Sequence, residues 1–195
     1  MLKGLVTDID GTLTDRHRRI HTGAIECIRK LCDQGILVVL ASGNTSCFMD
    51  ALSKMIGTQG AFIAENGGGI FFPAGYGSYR ISDAIEQGEH TLILLGKPYL
   101  EIRRFIEARK DRFAIRGAGD LSLEELVDLT GLTAEQARLA KQREFTEPFL
   151  LDDDAELASL RQEALAAGLK ITRGGRFYHL IGVGQDKGKA VRRVI

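Results

Sequence analysis

Six uninterrupted apolar residues, Ile36-Leu37-Val38-Val39-Leu40-Ala41, lie between Gly35 and Ser42-Gly43-Asn44. A strand of that composition has no polar side to turn toward water. It must be covered on both faces, as the central strands of parallel α/β sheets are. The flanking segments agree with this requirement. Residues 22 to 34 bring Ile25, Ile28, Leu31 and Cys32 onto one helical face, and Gly35 supplies the stop. Residues 45 to 56 form a second amphipathic helix through Phe48, Leu52, Met55 and Ile56, closed by Gly57. Leu2 to Thr7 and Ala61 to Ala64 read as further strands. This β-α-β-α-β order predicts an α/β core with a Rossmann-like parallel sheet and right-handed crossovers.

The rhythm changes after Glu65-Asn66-Gly67-Gly68-Gly69. Residues 70–72 and 76–81 suggest a hairpin or an exit segment, followed by a strand at 91–95, a helix at 98–109 and a strand at 112–116. Two short helices come next, each opened by a capping box: Ser122 with Glu125, and Thr133 with Gln136. A strand at 143–151, a helix at 154–167 ended by Gly168, and strands at 169–173 and 176–181 complete the pattern. The expected organisation is therefore a core over 1–79, an inserted α+β module over 80–181, and the core resumed over 182–195.

Charge sharpens the functional question. With 26 basic and 26 acidic residues there is no overall field to draw the chain to nucleic acid or to a membrane. An anionic ligand would have to be captured by local positive groups. The opening MLKGLVTDID has no signal-peptide pattern, and the apolar run at 36–41 is far too short to span a bilayer. The three cysteines have no paired spacing. Together these features predict a cytoplasmic protein with no nucleic-acid or membrane partner.

The chemistry begins at Asp8-Ile9-Asp10-Gly11-Thr12, directly after the first apolar strand. Ligands of open α/β sheets sit at the carboxyl ends of strands. Asp8 and Asp10 leave an extended strand end on the same side, and Gly11 lets the chain turn away. Two such carboxylates repel, and Mg²⁺, which takes oxygen ligands together with a substrate phosphate, relieves the repulsion. One carboxylate can then attack phosphorus while the other handles the proton of the leaving oxygen. Ser42 follows the 36–41 strand, so its hydroxyl and the N–H groups of Gly43 and Asn44 form a suitable phosphate cradle, although a helix-capping serine would look the same. Asp186-Lys187-Gly188-Lys189 opens the last helical segment.

This pattern resembles the haloacid dehalogenase superfamily. The resemblance implies that Asp8 is the nucleophile of an aspartyl-phosphate, and that Asp10 is the general acid and base and also serves the metal. Ser42 would hydrogen-bond the phosphoryl group as the second motif. Lys187, rather than Lys189, would be the third, since the Gly that follows it permits close approach. The acidic pair of the fourth motif is absent from these residues. Asp152-Asp153-Asp154 lies in the insertion and reads as a helix opening. A strand carrying the fourth motif is expected beside the strand of Asp8, and the chain is expected to lack a C-terminal portion of the family's fold.

The insertion falls between the second and third motifs, the place of the larger cap domains of that superfamily. Within it, Gly117-Ala118-Gly119-Asp120-Leu121, Leu129-Thr130-Gly131-Leu132, Arg143-Glu144-Phe145-Thr146-Glu147 and Gly174-Gly175-Arg176-Phe177-Tyr178-His179 resemble the mannosyl-3-phosphoglycerate phosphatase family. Ser42-Gly43-Asn44-Thr45 is instead similar to archaeal phosphoglycolate phosphatases, so phosphoglycolate or another small sugar or acid phosphate is the alternative substrate. A carboxylate or phosphate needs fork-shaped donors, which makes Arg143 and Arg176 the cap candidates, with Gly174 and Gly175 offering backbone N–H groups. Arg16-His17-Arg18-Arg19 reads as solvated loop, Cys47 as a buried thiol, and Gly67-Gly68-Gly69 as a turn. A ligand-binding module without activity is the reading that the missing fourth motif would favour.

Overall fold

A computed structural model describes residues 4–15, 19–58, 60–74 and 83–194. The chain falls into two compact units, residues 1–95 with 186–195, and residues 96–185. The first is built on one six-stranded sheet of β1 (Gly4–Asp8), β2 (Leu37–Ala41), β3 (Phe62–Ala64), β4 (Gly69–Pro73), β5 (Ala84–Gln87) and β6 (His90–Leu94), ordered β1-β2-β3-β4-β6-β5. Helix α1 (Thr22–Asp33) joins β1 to β2, and α2 (Ser46–Ile56) joins β2 to β3.

Only β1, β2 and β3 run parallel; β4, β6 and β5 are antiparallel additions, so the sheet is mixed rather than parallel throughout. The cause is the link after β3. Glu65 to Gly68 is too short for a crossover, so β4 must turn back beside β3. The sequence pattern assigns residues 80–95 to the insertion. In the structure β6 instead pairs with β4, placing Leu92 opposite Phe71 and Ile93 opposite Ile70, all buried. The division therefore falls between Leu95 and Gly96, not between 79 and 80, and between Gln185 and Asp186, not between 181 and 182. The expected segment at 76–81 and most of the 16–19 run lie outside the described residues.

The second unit has an antiparallel sheet of β7 (Ile115–Gly117), β8 (Thr146–Leu151), β9 (Leu169–Gly174) and β10 (Phe177–Gly182), ordered β7-β8-β10-β9. Strand alternation sends Phe149, Tyr178, Leu180, Leu169 and Ile171 to one face. There they meet Ile102, Phe105 and Ile106 of α3 (Tyr99–Glu107). A second smaller cluster, Leu121, Leu126, Leu132, Ala137 and Ala140, holds α4 (Leu123–Thr130) to α5 (Ala134–Ala140). Both capping boxes are present, with Ser122 and Thr133 as caps. Asp153 caps a short 3-10 turn ahead of α6 (Leu157–Ala166), whose Leu160 and Ala164 join the first cluster.

The chain then re-enters the first unit as α7 (Lys187–Val194), whose Ala190 is buried against Val39, Ile63 and Ile70. The first sheet thus has α7 on one face, with α1 and α2 packed on β2 and β3.

Three polar residues of the second unit are fully buried, Thr146, Glu147 and Gln185, and of these Glu147 carries a charge. The Glu147 carboxylate is 0% exposed and accepts from Tyr99 Oη at 2.7 Å, Arg103 Nη1 at 2.9 Å and the Gly119 N–H at 2.9 Å. Burial first, and then the Glu147 charge, push the Tyr99 phenol well above its ordinary range. Arg103 also pairs with Asp120, which accepts the Gly117 N–H at 3.0 Å. A Cβ at Gly117 or Gly119 would collide with this network, which accounts for the Gly-Ala-Gly-Asp segment. Arg103→Met should cost about 3 kcal/mol in urea unfolding, because it strands a buried carboxylate. A loss under about 0.5 kcal/mol would show that Glu147 needs no counter-charge.

His179 gives a second prediction. Burial, and then the positive Arg143, push its imidazole down to about 4, against a backbone bond to Gly174 that raises it. The unfolded chain therefore takes up a proton below about 6.5 that the folded one refuses until about 4. This stability is present above 6.5 and is lost as pH falls toward 4. Unfolding curves of a His179→Gln variant should be flatter across that window; an unchanged slope would contradict this.

Candidate active site

The parallel register of β1 and β2 pairs Asp8 with Ala41, so the residue after Ala41, Ser42, lies next to Asp8 at the carboxyl end of the sheet. Beyond Asp8 the chain curls around one carbonyl: Ile9 C=O accepts from Thr12, Leu13 and Thr14 N–H at 3.2, 2.9 and 3.1 Å. Gly11, at φ +74°, makes that curl possible. The Asp8 Oδ1 accepts the Ile9 N–H at 2.8 Å, which fixes the carboxylate's direction.

Asp8 Oδ2 lies 3.0 Å from Lys187 Nζ at the start of α7. Asp186 caps that helix, its Oδ1 accepting the Lys189 N–H at 2.8 Å. Lys187, rather than Lys189, is the lysine that pairs with Asp8. Ser42 is fully buried, with Oγ accepting from Asn44 Nδ2 at 2.9 Å and from Asn44 N–H at 3.2 Å. The helix-cap reading of Ser42 falls away, since Thr45 caps α2 by accepting the Phe48 N–H. Asn44 Nδ2 also reaches Asp10 Oδ2 at 3.3 Å. The Asn44 side chain therefore ties Ser42 to Asp10, whereas the sequence pointed only to its backbone N–H. Asp8, Asp10, Ser42, Gly43, Asn44 and Lys187 all belong to the first unit.

The remaining candidates belong to the second unit and are held by that unit's own groups. Arg176 Nη1 donates to Leu129 C=O at 2.8 Å near the end of α4. Arg143 donates to Ala140 C=O at 2.9 Å and to Thr146 Oγ1 at 3.1 Å, and β8 begins at Thr146 rather than at 143. Gly174 ends β9, and Gly175, at φ +61°, turns the chain toward β10. Cys47 is exposed, contrary to the buried thiol expected from sequence, because α2 turns Ser46, Met49 and Ser53 inward instead. Sequence reasoning also missed the backbone role of Glu65 and Asn66, whose N–H groups donate to Asn44 and Ser42 C=O, each at 2.9 Å. The Asn-Gly dipeptide after a buried strand was the available signal.

Among the described residues no three His, Cys, Asp or Glu side chains converge as a metal-binding group. What Asp8 and Asp10 offer is a pair of exposed, hard oxygen donors at one strand end. That set fits Mg²⁺, which keeps several waters and commonly uses one or two carboxylates with a substrate phosphate. It does not suit a metal that needs nitrogen or sulfur ligands.

An α/β sheet with an acid-bearing loop, a buried serine and a lysine at its carboxyl end defines a hydrolase of phosphate-handling type. The chain belongs to the haloacid dehalogenase-like hydrolase family, whose sequence profile matches residues 5–195. It is 43% identical over 190 residues to the glucosyl-3-phosphoglycerate/mannosyl-3-phosphoglycerate phosphatase of Persephonella marina, covering 97% of this chain and 70% of that one. A phosphoglycolate phosphatase of Methanoculleus marisnigri is 71% identical over 68 residues, 35% of this chain and 29% of that one. The crystal structure of the Thermoplasma acidophilum 0175 protein matches with a TM-score of 0.70 at 27% identity, over 99% of this chain and 70% of that one. No described helix is long and apolar enough to cross a membrane.

The two lysines at the start of α7 give a direct test of the geometry. Lys187→Met should raise the inhibition constant of orthovanadate about tenfold or more, because a charge-assisted contact is lost. Lys189→Met should change it by less than about twofold. The reverse order would remove Lys187 from the anion site.

Proposed function

We propose that this chain is a Mg²⁺-dependent phosphomonoesterase that works through an aspartyl-phosphate on Asp8 and acts on mannosyl-3-phosphoglycerate or a related glycosyl phosphoglycerate. The observation that carries the reading is the Asp8–Lys187 pair at 3.0 Å, next in register to the buried Ser42. Asp8 Oδ attacks phosphorus, the phosphorus–ester oxygen bond breaks, and the leaving oxygen takes a proton from Asp10. Asp10 then accepts a proton from water, which attacks the aspartyl-phosphate and releases inorganic phosphate. Ser42 and the Gly43 N–H hold the phosphoryl oxygens, with Asn44 orienting the Ser42 hydroxyl, and Lys187 offsets the repulsion between the Asp8 carboxylate and the incoming phosphate. Asp8 and the backbone carbonyl of Asp10 would hold Mg²⁺, which when bound neutralises charge shared by carboxylate and phosphate.

Selection of the organic part of the ester is assigned to residues 96–185, with Arg143, Arg176, Gly174 and Gly175 as the donors. The similarity to the Persephonella phosphatase over nearly the whole chain supports a glycosyl phosphoglycerate. A second reading, phosphoglycolate as substrate, is favoured by the higher identity, over a shorter stretch, to the Methanoculleus enzyme. The ratio of kcat/KM on the two compounds decides between them.

Asp8→Asn in the full-length protein should abolish hydrolysis of an aryl phosphate while leaving the circular dichroism spectrum unchanged, since the exchange is nearly isosteric and removes the anionic nucleophile. Near-normal turnover by that variant would end the aspartyl-phosphate mechanism. Arg143→Ala should lower turnover of a phosphoglycerate ester far more than turnover of the aryl phosphate, because remote contacts act on the remote part of a substrate. Equal losses on both would make Arg143 purely structural.

A further inference from the structure

Three consecutive residues after β3 adopt left-handed backbone: Glu65 at φ 49°, Asn66 at 58° and Gly67 at 87°. Only glycine takes this conformation without penalty, asparagine tolerates it, and glutamate seldom adopts it. Such strain persists where the surroundings enforce it, and here they are the two halves of the site.

On one side the turn holds the Ser42 loop. Ser42 N–H donates to Ile63 C=O at 3.0 Å, Asn66 N–H to Ser42 C=O at 2.9 Å, and Glu65 N–H to Asn44 C=O at 2.9 Å. The Asn66 amide lies over Gly43, where an added Cβ would come within 3.0 Å of Asn66 Oδ1. On the other side Gly67 touches the entry to α7. A Cβ at Gly67 would sit 2.5 Å from Asp186 C=O oxygen and 2.9 Å from Lys187 N. Adjacent residues of one turn thus touch the loop bearing Ser42 and the peptide bearing Lys187.

We infer that the left-handed turn Glu65-Asn66-Gly67 is a positioning element for phosphoryl transfer, fixing Ser42 and Lys187 relative to each other; this rests on the roles proposed above for those two residues. The turn supplies no group to the substrate. It sets the spacing between the hydroxyl that holds the phosphoryl oxygens and the ammonium beside the nucleophile. A displacement of about 1 Å in such a pair lowers turnover by about 10²-fold.

The experiment compares three variants of the full-length protein on an aryl phosphate. Gly67→Ala and Gly35→Ala both force alanine into left-handed backbone, at φ 87° and 73°, but nothing lies within 4 Å of a Cβ at Gly35. Both should lose thermal stability through backbone strain, Gly67→Ala more because its Cβ also meets the Asp186 carbonyl, while only Gly67→Ala should lose kcat, by about 10²-fold with KM changed less than about threefold. Asn66→Gly relieves strain and removes the amide over Gly43. It should keep the melting temperature and still lower kcat about tenfold. The inference is overturned if Gly67→Ala keeps the kcat of Gly35→Ala, or, where Gly67→Ala does not fold, if Asn66→Gly keeps the wild-type kcat. An active Asp8→Asn enzyme would instead discard the underlying mechanism. An inactive one with unaffected Gly67→Ala and Asn66→Gly would discard only the positioning role.

Discussion

The first unit is organised around the ion pair of Asp8 with Lys187, which joins residues separated by 179 positions in the chain. In the function proposed above, a lone carboxylate at that strand end would repel the incoming phosphate dianion, which a lysine already beside it offsets. Three features make this possible. The parallel pairing of β1 with β2 fixes the plane of Asp8, Asp186 caps α7 so that Lys187 is its first residue, and α7 packs on the sheet through Ala190. Loop-closure entropy rises only with the logarithm of length, so a long excursion between the partners is tolerable. It is more tolerable still when the excursion has a core of its own, as residues 96–185 do.

The two prominent charged groups have opposite duties, and exposure separates them. The Asp8 and Lys187 side chains are 46% and 34% exposed. An ion pair in that setting contributes about 0–1 kcal/mol, too little to be kept for stability. Glu147 is wholly buried and meets three donors from α3 and the loop before α4. Breaking a pair of that kind costs several kcal/mol, because the remaining charge has no water to turn to. The second group is thus placed for architecture, and the first is free for the chemistry proposed above. The same reasoning explains why the Gly117-to-Asp120 segment is occupied with the protein's own side chains.

Much of the first unit was legible because strand order and chemistry coincide in a parallel sheet. Ile36 to Ala41 demands cover on both faces, and residues at the ends of neighbouring parallel strands fall side by side, so Asp8 and Ser42 come together from order alone. The antiparallel extension was less legible. Ala84-Ile85-Glu86-Gln87 has little alternation to mark it as a strand, and β6 reads equally well as the start of a new module until its pairing with β4 is seen. Partners of buried polar groups were invisible for a different reason. Tyr99 and Arg103 reach Glu147 across 48 and 44 residues, and no local pattern encodes such a meeting. For Asn44 the sequence pointed to its backbone N–H; its side-chain bridge to Asp10 needs the third dimension.

The function proposed above would account for the similarity of one chain to phosphatases named for different esters by where each kind of selectivity resides. Phosphoryl transfer asks for a nucleophile, a proton carrier and donors for three oxygens, and none of these depends on what the phosphate is attached to. Such a set can stay fixed in the sheet-end loops, where Asp8, Asp10, Ser42 and Lys187 lie, while the groups that meet the rest of the ester change elsewhere. A hydroxyl or carboxylate far from phosphorus is read only by groups that reach it, and each buried donor left unpaired by the wrong ester costs on the order of 1–3 kcal/mol. Two or three such donors therefore discriminate strongly without altering any residue at phosphorus. On that proposal, reaction class and substrate are separate properties of the fold, the first set by the sheet end and the second by whichever side chains meet the leaving group.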